Sequence, residues 1–304
     1  MRKIFFFLCL LAAASRLRAG DGQADALNGL AAPGEPARLA AASQLRDAEP
    51  AALGPHAEAL ALFLEREPSR LVRQELAWAI GNTGAAGAAL LPRLIAFYRR
   101  ESELEVKRNL LRSFALIAPK QSQPAEPLVL LLVGELPAPI LGKDAVGLLG
   151  ALGPAARPAV PALVAVLRGE DSSSRVSAAI SLGEILAAGE ADAAAVAALA
   201  LSLGDLHLSV RQQAAQALGK IGPAAAAAVP ALQAALELAD GETADAALHG
   251  YAAWALGEMG RAALPAVPAL RRCYESDPDP FTRKAAAAAL RKLGAFPLGK
   301  DADT

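Results

Sequence analysis

The residues that ordinarily build a metal site or a nucleophile are scarce in this chain. Three histidines (His56, His207, His249) and two cysteines (Cys9, Cys273) are all that 304 residues offer. No two of them stand at the short spacings by which zinc ligands converge. There is no GxSxG strand-to-helix elbow to present a serine. Gly142, Lys143 and Asp144 form the string GKD, which lacks the upstream glycine and the Ser/Thr of a phosphate loop. The sequence therefore assigns no catalytic residue, no cofactor-binding residue and no metal ligand, and the chain reads as not an enzyme.

Charge, by contrast, recurs on a period. Arg38, Arg73, Lys107, Arg175, Arg211 and Arg283 occupy equivalent positions, with His249 in one further copy. Six residues before members of this series stand Glu67, Glu101, Asp205 and Asp277. Such columns suit either a row that binds a charged ligand or ion pairs that hold the chain together. One copy breaks the rule, with Gly142 in the basic column and Leu136 in the acidic one, which predicts a weaker junction at 134–144.

The elements that carry these columns follow from a repeat, whose detection precedes any finer reading. "ALGKIGP" (217–223) is matched by "AIGNTGA" (79–85), "LLGALGP" (148–154), "SLGEILA" (181–187) and "ALGEMGR" (255–261), and more loosely by three other stretches. The third position of each falls at Arg46, Gly81, Ala115, Gly150, Gly183, Gly219, Gly257 and Arg291, with gaps of 33 to 38 residues. "AVPAL" occurs three times in phase with these turns, placing Pro161, Pro230 and Pro268, with Pro92 in the same phase and Pro127 one place later. Proline in a first turn costs little because those backbone N–H groups have no partner there; slightly deeper it would bend the helix. After each proline comes an apolar segment, then an acidic loop, then a segment with apolar residues three and four apart, the mark of an amphipathic helix. Two helices per unit, eight units of about 35 residues, make an all-α solenoid.

On these residues the chain resembles the HEAT-like repeat family, of the short bacterial type with a "VPAL…D…VR..AA.ALG.IG" signature; the resemblance is closest over 205–222 and 266–294. It implies an α-α superhelix of about eight pairs whose second helices line a concave surface. It also implies that the acidic and basic columns, Glu67, Arg73, Glu101, Lys107, Asp205, Arg211, Asp277 and Arg283 among them, form a structural ladder between units. The family includes scaffolds, adaptors and some bilin lyases.

Along each second helix, positions three, four and seven after the basic residue are apolar, as in Leu76, Ala77 and Ile80 or Ala214, Ala215 and Leu218, and form the packed side. Positions two, five and nine vary freely and lie opposite. There the only two tryptophans, Trp78 and Trp254, share one column, beside Arg112, Gln216 and Tyr251. Trp, Tyr and Arg are the types most enriched at interface hot spots. These five residues are the candidate protein-binding face, with helix-to-helix packing as the competing role for the rings. Cys273 shares its phase with Phe97, Leu131, Val166 and Ala235, which predicts a buried, inert thiol.

Arg2 and Lys3 precede an apolar run from Ile4 to Ala14, the pattern of a secretory signal peptide too short to span a bilayer. Small residues suit cleavage after Ser15 or after Ala19. The latter removes four basic side chains and leaves 26 against 31 acidic, a net of −5. No basic surplus marks a nucleic-acid binder, and no membrane-spanning run is expected beyond the leader. The expected layout is a signal peptide at 1–19, a degenerate cap at 20–36, the solenoid at 37–294 and a tail at 295–304. The expected role is a secreted or periplasmic scaffold for a protein or peptide partner. A self-assembling structural component, as a homo-oligomer, and an accessory subunit of bilin-lyase type are the alternatives.

Overall fold

The computed structural model describes residues 22–118, 126–187, 189, 192–237 and 246–296. Among them every regular element is a helix, α or 3-10, and helices pack on their neighbours in sequence, as in an α-solenoid. The leader and the end of the tail lie outside the described residues. Contacts divide the chain into two compact units, 1–148 and 149–304.

In the first unit, α1 (Gly22–Gly29) pairs with α2 (Glu35–Arg46) and α3 (Ala57–Arg66) with α4 (Arg70–Gly81). Next come α5 (Leu91–Arg100) with α6 (Leu104–Ile117), then α7 (Glu126–Glu135) and the start of α8 (Leu141–Leu152). Residues 22–29, assigned by sequence to a degenerate cap, form a helix that buries Ala26 and Leu27. The second unit takes up the end of α8 and continues with α9 (Val160–Leu167) and α10 (Ser172–Leu186), then α11 (Ala193–Ser202) and α12 (Leu208–Ile221). Its last pairs are α13 (Val229–Glu237) with α14 (Ala246–Glu258) and α15 (Val267–Ser276) with α16 (Pro280–Lys292).

The repeated proline is the second residue of α5, α9, α13 and α15, where no intrahelical hydrogen bond is lost. It starts these helices and does not bend them. The sixth turn position is a glycine in left-handed conformation at Gly84, Gly153, Gly222 and Gly260 (φ +55 to +69), which β-carbon-bearing residues rarely adopt. Each opens a 3-10 turn that leads to the next proline.

The third-position glycines have a different reason. Second helices pack side by side, α4 on α6 in the first unit and α10, α12, α14 and α16 in series in the second. Gly81 faces Ser113, Gly183 faces Ala217, and Gly257 faces Ala289 so closely that a Cβ there would stand 2.9 Å from the Ala289 Cα. Small residues therefore meet small residues, and the helices approach backbone to backbone. The packed positions are fully buried: Leu76, Ala77, Ile80, Ala214, Ala215 and Leu218 expose nothing.

Among the described residues one stretch, Leu141–Leu167, is long and apolar enough to cross a membrane, with mean hydropathy 1.4. It departs from the expectation that no such run follows the leader. Gly153 (φ +58) and the 3-10 turn Gly153–Ala159 interrupt it, so it consists of two helices separated by a turn.

Candidate protein-interaction site

The charged columns meet across successive pairs in one pattern. Arg73 Nε and Nη2 donate to the two Glu101 oxygens at 2.7 and 3.2 Å, while Nη1 donates to the carbonyls of Glu67 and Pro68 in its own turn. Glu101 in turn accepts from the backbone N–H groups of Ser102 and Glu103. Arg38 treats Glu67 the same way, and Arg175 does so with Asp205 at 2.8 and 2.9 Å. Arg211 and Arg283 bind the carbonyls of Asp205 and Asp277. His249, buried in the arginine column, sets Nδ1 3.2 Å from Asp277 Oδ2. The Arg38, Arg73, Arg175 and His249 rungs thus join one pair to the next, and the arginines of the column satisfy carbonyls that the interhelical turn would leave bare.

Burial works to raise the pKa of Glu101. The hydrogen bond from Arg73, the Glu103 and Ser102 N–H groups and the Arg73 charge outweigh it and hold the carboxyl below the usual carboxylate range. Asp205 is likewise pushed up by burial and brought down further by Arg175 and the His207 N–H. A depressed folded pKa means that the unfolded chain binds protons first. The stability these rungs contribute is complete above the ordinary carboxylate pKa of about 4 and disappears as pH falls through the depressed values. Melting temperature should therefore drop below about pH 4, and Glu101→Gln should lose part of that dependence in melts run from pH 7 to pH 3.

At the irregular junction the rung changes. Lys107 Nζ reaches Glu135, one residue before the expected column, at 4.0 Å and lies 4.8 Å from the Tyr98 ring centroid. A point-like ammonium makes no hydrogen bond to the Glu101 and Ser102 carbonyls that an arginine would cover. The hydroxyl of the fully buried Tyr98 meets no hydrogen-bond partner among the described residues. Gly142 has no side chain because a Cβ would collide with the Leu136 carbonyl oxygen. Arg108 to Asp144, 3.0 Å, adds a tie elsewhere. Lys107→Arg should restore the fork and raise stability by about 1 kcal/mol, read as a rise of about 2 °C in melting temperature.

On the opposite side of the second helices, the two tryptophans occupy unlike surroundings. Trp78 is 38% exposed, with the Arg112 guanidinium 5.6 Å from its ring centroid and Leu116, 58% exposed, on the same face. Arg112 forms no ion pair with any described residue. Trp254 is half-buried, its six-membered ring lying where a Gly219 side chain would be. Tyr251 packs edge-on to Phe281 at 5.8 Å, Phe281 covers Gly250, and Gln216 is half-buried. In the first unit the stripe offers an exposed cation–aromatic pair; in the second its rings fill grooves between helices.

Residues 242–302 match the family model described as HEAT repeats, and residues 210–237 match the PBS lyase HEAT-like repeat. Over these residues the chain is similar to HEAT and HEAT-like repeats. Both matches fall in the second unit, over pairs whose proline, left-handed glycine and arginine positions recur in the first. No curated protein matches the chain. Repeats of this kind build extended surfaces for protein recognition.

The scarce chemical groups of the chain sit apart. Cys273 is buried, and burial together with Asp277 pushes its thiol up to about 11, away from the reactive thiolate. His207 is exposed at the start of α12, and His249 belongs to the ladder. Among the described residues no three His, Cys, Asp or Glu side chains converge on one point.

Sequence reasoning missed further ties. Arg93 holds Glu65 with both Nε and Nη2 and also Glu58. Lys220 meets Glu184 and Lys292 meets Glu258 along the variable face. Opposite charges one period apart were the available signal. Arg112, on the same face in the first unit, is an exposed cation with no carboxylate among the described residues.

Proposed function

We propose that this chain is a non-catalytic, exported scaffold that binds a protein or peptide on the face of its second helices, anchored at Trp78 and Arg112. One observation carries the reading: Trp78 is a large exposed aromatic, stacked by an arginine that holds no described carboxylate, beside exposed Leu116. Trp and Arg in such a setting supply most of the energy of many interfaces. Gln216, Tyr251 and Trp254 hold the matching column positions in the second unit, where the rings pack between helices. The basic-then-apolar leader supports export.

The test is capture of partners by crosslinking in the native compartment with the wild type and a Trp78→Ala/Arg112→Ala variant. A partner retained by the wild type and lost by the variant, with helicity and melting unchanged, supports the reading. Equal capture by both, or concentration-dependent oligomers of the wild type in place of any partner, overturns it in favour of self-assembly. A chromophore copurifying with the chain would point instead to the lyase-type role named by the PBS lyase repeat.

A further inference from the structure

A second surface, in the second unit, carries its own signature. Leu206 is 95% and Leu201 75% exposed, the most exposed large apolar side chains among the described residues, and Leu208 next to them is 47% exposed. They surround the turn between α11 and α12. Ser69, Asp171 and Asp279 each cap the helix that follows by accepting a backbone N–H; at the same place His207 accepts none, as Gly34 and Glu103 accept none in the first unit. This turn therefore forgoes a stabilising cap and also holds two leucines in water. Neither helps the fold.

Beside it lies an open groove of about 350 Å³ whose lining includes Leu167 on α9, Ala198, Leu201 and Ser202 on α11, Arg168 and Asp205. Leu167 and Ala198 are buried and form an apolar wall. The polar groups are mostly spoken for. Asp205 is held by Arg175 and the His207 N–H, and the Ser202 hydroxyl donates to the Ala198 carbonyl. Arg168 is exposed, and its guanidinium makes no hydrogen bond or ion pair with any described residue. The groove thus offers apolar contact, one available cation and no available anion.

We propose that this groove docks an extended segment of another protein carrying a leucine-sized side chain next to an aspartate or glutamate. The apolar side chain lies against Leu167, Ala198 and Leu201, the carboxylate meets Arg168, and Leu206 closes over the segment. A groove of this volume takes a few side chains and not a folded domain. A lipid surface calls for a cluster of cations, whereas Arg168 stands two residues from Glu170.

A random heptapeptide display library, selected on the full chain with an Arg168→Glu/Leu206→Asp variant for counter-selection, tests this. The expected winners carry an apolar residue beside Asp or Glu. In fluorescence anisotropy their affinity should fall at least tenfold with Arg168→Ala or Arg168→Gln and be unaffected by Trp78→Ala, which separates this site from the second-helix face. The substituted side chains are exposed, so each variant should melt with the wild type; Arg168→Gln repeats the comparison should Arg168→Ala not do so. Peptides that bind wild type and counter-selection variant equally, winners without an acidic residue, or no enrichment would each overturn the proposal.

Discussion

Replacing Arg73 by alanine is expected to lower the stability of the first unit by about 3 kcal/mol, the lower end for breaking a buried ion pair. The Glu101 side chain is 4% exposed, and without Arg73 its charge keeps only two backbone N–H donors. The Glu67 and Pro68 carbonyls lose the same guanidinium. The loss should be local. Nearest-neighbour coupling confines damage in a repeat array to the affected junction, so faster amide exchange should appear in α3 to α6 and leave α14 to α16 unchanged. Arg73→Met/Glu101→Leu should recover much of the loss, because the uncompensated charge then goes as well. Equal exchange across both units, or no gain in the double variant, would show that these rungs are not what couples the pairs.

Gly257→Leu should be about as damaging, again about 3 kcal/mol, for a steric reason. A Cβ at this position stands 2.9 Å from the Ala289 Cα and 3.0 Å from its Cβ. These atoms cannot rotate away, so α14 and α16 must separate, and Ala253, Leu256 and Leu290, now fully buried, lose contact. Gly147 provides the internal control. It is exposed in the middle of α8, and a methyl group added there would meet nothing within 4 Å. Gly147→Ala should therefore gain about 0.5–1 kcal/mol from helix propensity alone. Thermal melts of the two variants side by side should move in opposite directions.

The elements and their phase were legible because the sequence states them many times over. The prolines, the left-handed glycines and the arginine column each recur at one place in the period, and repetition reveals what a single copy would hide. Environments set by a neighbouring copy were harder to read. Trp78 and Trp254 share a column, yet the third-position residue of the preceding pair is Arg46 before Trp78 and Gly219 before Trp254. Gly219 leaves a space that the Trp254 ring fills, whereas the Arg46 side chain is long and turns to Glu75 and Asp47. The shift of the acidic rung to Glu135 was hidden for a related reason, since a lysine reaches its carboxylate differently from an arginine. The groove beside Leu201 depends on exposure, which apolar periodicity does not report for the first helices.

The most direct measurement of the central claim is site-specific photocrosslinking from two exposed leucines of the first unit. Leu116 lies on the second-helix face and Leu130, 61% exposed, on the first helix α7. With a benzophenone side chain at either position, the account predicts a partner protein joined at 116 and none at 130, with the product at 116 abolished by Arg112→Ala. A partner joined at 130 alone, or a product at 116 indifferent to Arg112, would contradict it.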